Sequence, residues 1–471
     1  MHCGYVTTLN NVRKHPNADK LVLATCFVNT VCVNKDMYHE GEIGVYFPVD
    51  LQLSMEFCEK NGLLAVYENG VNVSGGYMDP AKRNVKAIKL RGEQSDGLFL
   101  PLKCLEYTGV DMDSLNIGDT ITTVNGHEIC RKYIPRGKHH ATAAGGAGKR
   151  AKRKAKRSIA PVFYEHIDTE QLAYNLHVFK PGDLIEITRK LHGTSARTSH
   201  TKVFQGMKRT IWDKLFRREG TPIYDWGIVS GTRRTVLDTF DGGFYGSNEF
   251  RKPYHDFFEG KLLKGETVYY EIVGFTHDGG SIMGVCDNKK LKDKEFVKKY
   301  GEKTIFSYGC APRPVYEVKT HTDGSTEQTL LKSQSDIYVY RMTMTNEDGE
   351  VVEYTPDQMR HRCMYMGVKT VPVHWYGFIP ENPGSYDDPT ISAGEWVLKK
   401  AEQFYDGEEP IDPTHIREGV VVRVINRPTF TAYKHKNFQF KVLEGIIKEC
   451  AEAPDMEEAD GLDEDFEAET V

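Results

Sequence analysis

The sequence predicts an α+β chain, a small all-β module followed by a larger domain built on antiparallel sheets. Three observations lead there. Short strand-like runs dominate both parts, helical periodicity is confined to brief stretches, and a charged segment poor in apolar residues separates the two.

Taken in order, residues 1–130 hold strand-like LVLATCFV at 21–28 and EIGVYFPVD at 42–50, with turn-rich HPNADK at 15–20. Only 52–61 has a helical character. A small all-β unit of this length suits a barrel such as an OB-fold. Residues 131–158, with ATAAGGAG at 141–148, cannot bury enough surface to offset ordering and read as a flexible linker. Such a chain spans about 30 Å, enough to reach across a nucleic-acid duplex. The domain at 159–446 opens with a predicted helix capped by Asp168 or Thr169, with Leu172, Leu176 and Phe179 on one face and Pro181-Gly182 stopping it. A strand, LIEIT at 184–188, runs into Lys190. Further strands are predicted at 267–275, 336–342, 418–425 and 433–443, and a charged helix-like insertion at about 287–303. Residues 447–471 form an acidic tail, predicted to be disordered.

Composition bounds the class. The 471 residues carry 61 Lys+Arg and 67 Asp+Glu, a net charge of -6, with 39% hydrophobic residues, ordinary for a soluble protein. No run is long and apolar enough for a membrane span, and the N-terminus lacks a signal peptide's apolar core. The ten cysteines are scattered with no CxxC pair, which argues against zinc and for a reducing, cytoplasmic setting. The net charge conceals its distribution: eleven Lys/Arg and no acid in 131–157, eleven Asp/Glu and no base in 449–471. The basic run, with Lys149, Arg150, Lys152, Arg153 and Lys154 at its centre, suits phosphate contacts that are independent of sequence. A solubilising linker or a nuclear-localisation run has the same composition.

The residues with chemical potential follow strands. In Lys190-Leu191-His192-Gly193, a lysine at a strand end is followed by a glycine that lets backbone turn close to a phosphate. That spacing alone is weak, since 89–92 and 298–301 also match it. Glu271 lies within an apolar strand, VYYEIVGF. Glu418 heads a face shared with Val420, Val422 and Val424. Lys434 and Lys436 are two apart and project to one side of a strand, which Phe438 and Phe440 are expected to continue.

Together these segments resemble the covalent nucleotidyltransferase superfamily: motif I (KLHGTSAR, 190–197), III (YEIVGF, 270–275), IIIa (IYVYRM, 337–342), IV (EGVVVR, 418–423) and V (YKHKNFQFKVLEG, 433–445). KxHG, with EGVVVR and KHK, is similar to RNA ligases, as is the lead-in FYEHIDTEQL at 163–172. VRKHPNADKLVLATCFV at 12–28 and RGEQSDGLFLPL at 91–102 resemble the OB-type tRNA-binding module of aminoacyl-tRNA synthetases. That arrangement is found in the nick-sealing, 3′-OH/5′-phosphate RNA repair ligases.

The resemblance implies ATP as substrate, Mg²⁺ or Mn²⁺ as cofactor, and RNA as partner, as nicked duplex or broken structured RNA bound by a monomer. Lys190 would form lysyl-AMP, with Lys434 and Lys436 as catalytic cations. Glu418 would hold the metal through waters, and Glu271 would bind ribose hydroxyls or share in the metal. Tyr338 or Tyr340 would stack on adenine, the choice being open. Arg197, and Arg233 or Arg234, would contact phosphate. A lysine attacks only when deprotonated, which neighbouring cations favour. Two departures stand out: His192 where many ligases have aspartate, and Arg189 where several RNA ligases have glutamate. A capping-type guanylyltransferase, a DNA ligase and a non-catalytic RNA-binding protein are the alternatives.

Overall fold

The computed structural model describes residues 3–133 and 159–444, apart from 50, 69–70, 77, 168, 212–215, 217–219, 238, 242–246, 322–324 and 385–389. The acidic tail and nearly all of the basic segment, including Lys149, Arg150, Lys152, Arg153 and Lys154, lie outside the described residues.

Alternating apolar residues build the N-terminal sheets. Gly4–Thr8 and Ile43–Phe47 pair antiparallel at the centre of a four-stranded sheet flanked by Leu98–Pro101 and Thr120–Ile121. Val6, Val45 and Phe47 pack with Leu53 and Phe57 beneath it. Asn10–Lys14, Leu21–Cys26 and Asn29–Asn34 form a second, three-stranded sheet. Ser54 caps the helix Met55–Lys60 through the Phe57 amide. Among the described residues these strands form separate sheets, with no closed barrel.

Two larger sheets follow. A six-stranded antiparallel sheet runs in the order Val236–Leu237, Thr221–Thr232, Thr194–Lys208, Glu266–Gly274, Ser335–Thr345, Val351–Glu353. A five-stranded sheet runs Glu170–Gln171, Thr431–Lys436, Gly419–Val424, Leu184–Lys190, Val373–Phe378, its first pair parallel and the others antiparallel. The chain leaves the second sheet at Lys190 and enters the first at Thr194. Three residues, Leu191-His192-Gly193, therefore carry the backbone across the cleft between the sheets. Gly193 is required there: a Cβ would strike the Ile272 carbonyl and Glu271 Cγ.

Two expected elements differ. The helix expected from Asp168 or Thr169 is a short strand, Glu170–Gln171, and two tight turns, Leu172–Tyr174 and Leu176–Val178. Asn175, at φ −127°, interrupts the helix and donates its amide to the Gln171 carbonyl, while Leu172 and Phe179 still reach the core. The strand expected over 433–443 stops at Lys436, because Asn437 caps a helix, Phe438–Leu443. Phe440 is consequently buried and Phe438 exposed, and neither continues the face of Lys434 and Lys436. The charged insertion does contain a helix, Lys294–Tyr300, capped by Asp293.

Tyr174 joins the two parts of the chain. Its ring lies 4.8 Å from Tyr5, 5.2 Å from Phe27 and 6.2 Å from Tyr46, an aromatic cluster closing the core of the second N-terminal sheet. Among the described residues, no helix is long and apolar enough to cross a membrane.

Candidate active site

The cleft between the two large sheets holds a cavity of about 580 Å³, within the ~300–1,000 Å³ range of small-molecule sites. Strand register assembles its reactive end. Lys190 pairs with Gly419, and Gly419 with Lys436, so three strand positions lie side by side with Glu418 just before them. A Cβ at Gly419, whose φ is +148°, would strike the His435 carbonyl, and this close approach brings Glu418 between the two lysines.

Glu418 is 1% exposed, and its Oε1 lies 2.9 Å from Lys190 Nζ and 3.1 Å from Lys436 Nζ. Burial alone would raise its carboxyl. Lys190, Lys436 and His192 outweigh that and hold it at about 2, so the carboxylate is ionised. Lys436 also lies 2.7 Å from Glu444 Oε2. Burial works against its ammonium, but Glu418 and Glu444 hold it above the ordinary lysine value. Glu271, paired in register with Ser195 and Tyr338, lines the same end. Burial pushes its carboxyl up to about 7, against the pull of Lys190.

His192 crosses the cleft between Phe306 and Phe440, ring centroids 4.8 and 4.7 Å away. Burial lowers its imidazole to about 4, so the ring is neutral at neutral pH. The His192 backbone N–H donates to the Tyr308 hydroxyl oxygen at 2.7 Å. Behind it, Asp412 accepts from the Gly309 amide at 2.8 Å and from the Ser307 hydroxyl.

Tyr340 lines the cavity, bonded to Ser195 Oγ at 2.8 Å, whereas Tyr338 is buried in the neighbouring apolar cluster and does not. Arg233 and Arg234 line the cavity as well. Arg197 does not: its guanidinium lies 4.3 Å over the Phe163 ring and donates to the Thr232 and Phe163 carbonyls. Lys434, in register with Val421, is likewise absent from the lining. The cations expected around Lys190 thus reduce, at close range, to Lys436. Arg189 contributes little charge to the site, because its guanidinium lies 2.6 Å from the buried Glu409. Burial still lowers the guanidinium and raises the carboxyl, so the pair does not fully offset its desolvation.

Several lining residues were not singled out from the sequence: Glu444, His166, Glu186, Arg360 and Arg423. Three of them lie inside the segments that carry the family resemblance, His166 in the lead-in, Arg423 in EGVVVR and Glu444 in KVLEG. Their signal was position within a motif, since residue type alone marks nothing. Glu186 and Arg360 form an ion pair on the cavity wall, which only the tertiary structure brings together.

Among the described residues no group of three or more His, Cys, Asp and Glu could hold a metal ion directly. The donor set instead fits a hydrated divalent ion, since Glu418 Oε2 is buried without a hydrogen-bond partner and its carboxylate is ionised.

The chain aligns along nearly its whole length with solved structures of Naegleria gruberi RNA ligase. A point mutant of that ligase with ATP and Mn gives a TM-score of 0.52 at 14% identity, covering 95% of this chain and 100% of that one. The ligase with PPi gives 0.52 at 15% identity, covering 94% and 98%. The chain has the RNA ligase fold. No protein-family model and no curated protein matches the sequence, so the likeness to this ligase is one of fold.

Proposed function

We propose that this chain is an ATP-dependent RNA ligase that joins 3′-OH and 5′-phosphate ends through lysyl-AMP. The observation that carries this reading is Lys190 Nζ at a nucleotide-sized cavity, with Glu418 and Lys436 beside it. The Lys190 amine, once deprotonated, attacks the α-phosphorus of ATP. The P–N bond forms as the bond to the pyrophosphate oxygen breaks. AMP then passes to an RNA 5′-phosphate, releasing the lysine, and a 3′-OH displaces AMP to form the phosphodiester.

Each step gathers charge on phosphate oxygens, and Lys436 and the Arg233–Arg234 pair are the cavity cations available to stabilise it. A divalent ion, Mg²⁺ or Mn²⁺, held through waters by Glu418, would supply further charge neutralisation there. Tyr340 from one sheet and Val421 from the other line the cavity where a purine would stack, and Glu271 is in reach to accept ribose hydroxyls. The N-terminal sheets would serve as the OB-type RNA-binding module, and the basic segment at 131–158 as a phosphate-binding arm. A nicked duplex or broken structured RNA, repaired by a monomer, suits both.

A 5′-labelled nicked RNA duplex tests the reading. ATP and Mg²⁺ should yield an AMP-capped 5′ end and then a sealed strand. Labelling of the protein by GTP and not ATP would favour the capping-type alternative; an end-joining reaction confined to DNA would favour the DNA ligase.

A further inference from the structure

The two carboxylates nearest Lys436 come from different elements and meet at one point. Glu418 heads the strand Gly419–Val424, and Glu444 follows the helix Phe438–Leu443. Glu418 Oε1 lies 3.1 Å and Glu444 Oε2 2.7 Å from the same ammonium. A single positive charge stands between them. Their other oxygens face His192 Nδ1, which is 3.8 Å from Glu418 Oε2 and 3.6 Å from Glu444 Oε1. Those separations are too long for direct hydrogen bonds. Glu418 Oε2, on a side chain 1% exposed, has no hydrogen-bond partner. An ionised, buried oxygen with an unused lone pair beside a second carboxylate is a site for water bound to a cation.

We propose that Glu444 acts with Glu418 to hold the water shell of a divalent cation beside Lys190, at the point where the Lys436 ammonium meets both carboxylates. The inference rests on the ligase reading and adds to it a cation-binding role for Glu444. Magnesium keeps several waters and binds through one or two carboxylates together with substrate phosphates, which is the donor set here. Lysine is a point charge on a flexible four-carbon stem. When phosphate enters, the Lys436 ammonium can move to its oxygens, and the two carboxylates are left facing each other. A hydrated cation relieves that repulsion. Glu444 thereby offers a carboxylate next to His192, the position that carries no acid of its own in this chain.

The test is Mn²⁺ binding to the full chain at saturating AMP, followed by the EPR signal of free Mn²⁺. Loss of the carboxylate in Glu444→Gln should weaken Mn²⁺ binding by at least about tenfold, and Glu444→Asp should stay within about threefold of wild type. Glutamine still accepts a hydrogen bond from Lys436, so the contrast reads charge toward the metal rather than the Lys436 contact. Wild-type Mn²⁺ affinity in Glu444→Gln, in a protein that forms Lys190–AMP, would overturn the inference and leave the ligase reading standing. Tight Mn²⁺ binding through Glu444 without any Lys190–AMP would keep the cation site and sink the ligase reading.

Discussion

Lys190 Nζ and Glu418 Oε1 are 2.9 Å apart, a contact set by strand register, since Lys190 is the partner of Gly419. The same oxygen serves Lys436, so one buried carboxylate balances two ammonium groups. Glu418→Gln removes that balance. It should cost about 3 kcal/mol or more of stability at pH 7, because two cations are left facing a neutral amide. Urea unfolding of the nucleotide-free protein reads this directly, and an unchanged midpoint would show that the ion pairs add nothing.

The two lysines of KHK should separate sharply. Lys436 lines the cavity between two carboxylates, and Lys434 does not line it. Lys436→Ala is expected to slow lysyl-AMP formation by about 10²–10³-fold, the usual cost of removing one preorganised charge at a reacting phosphate. Lys434→Ala should cost less than about tenfold at that step. Single-turnover labelling with ATP compares them, and equal losses would refute the placement.

Arg189, on the strand that carries Lys190, forms a buried pair with Glu409 from the segment before Gly419–Val424. Removing either partner leaves a buried charge, so Arg189→Leu or Glu409→Leu should each cost about 3–5 kcal/mol. The double variant should cost clearly less than the two together, because both charges are gone. Simple additivity in a double-mutant cycle would mean that the pair is not coupled.

Much of this site is legible in the strands. LIEIT alternates into Lys190 and EGVVVR presents Glu418 at its head, and both elements form close to the predicted boundaries. Alternation tells which face a residue takes and leaves its depth undetermined. Arg197 shares a face with Ser195, yet Phe163 covers it, and no local pattern shows a distant segment folding over a strand. Tyr338 and Tyr340 likewise differ by neighbours from other strands. The Asn437 cap was hidden because Phe438 and Phe440 keep the strand period for two more residues. Glu444 depends on that helix, so a reading that extended the strand could not turn it back toward Lys436. The N-terminal strands follow the pattern too, but closure of a sheet depends on long-range pairing that short runs do not encode.

Acid should destabilise the protein through two half-buried histidines. Burial holds His166 at about 3 and His374 at about 4, both below the ordinary 6.5. With folded values depressed, the unfolded chain binds more protons below 6.5. The stability these groups contribute is complete above pH 6.5 and lost as pH falls toward 4, on the order of 2 kcal/mol for each partly exposed ring. Chemical denaturation at a series of pH values should give a flatter curve over that window for His374→Gln than for wild type. Parallel curves would contradict it.

The intact mass of the full chain after incubation with ATP and Mg²⁺ or Mn²⁺ bears most directly on the central claim. The wild-type protein should gain one AMP, located on Lys190, and Lys190→Ala should gain none. A wild-type mass that stays unchanged across both metals and a range of pH, or an AMP that persists in Lys190→Ala, would contradict the account.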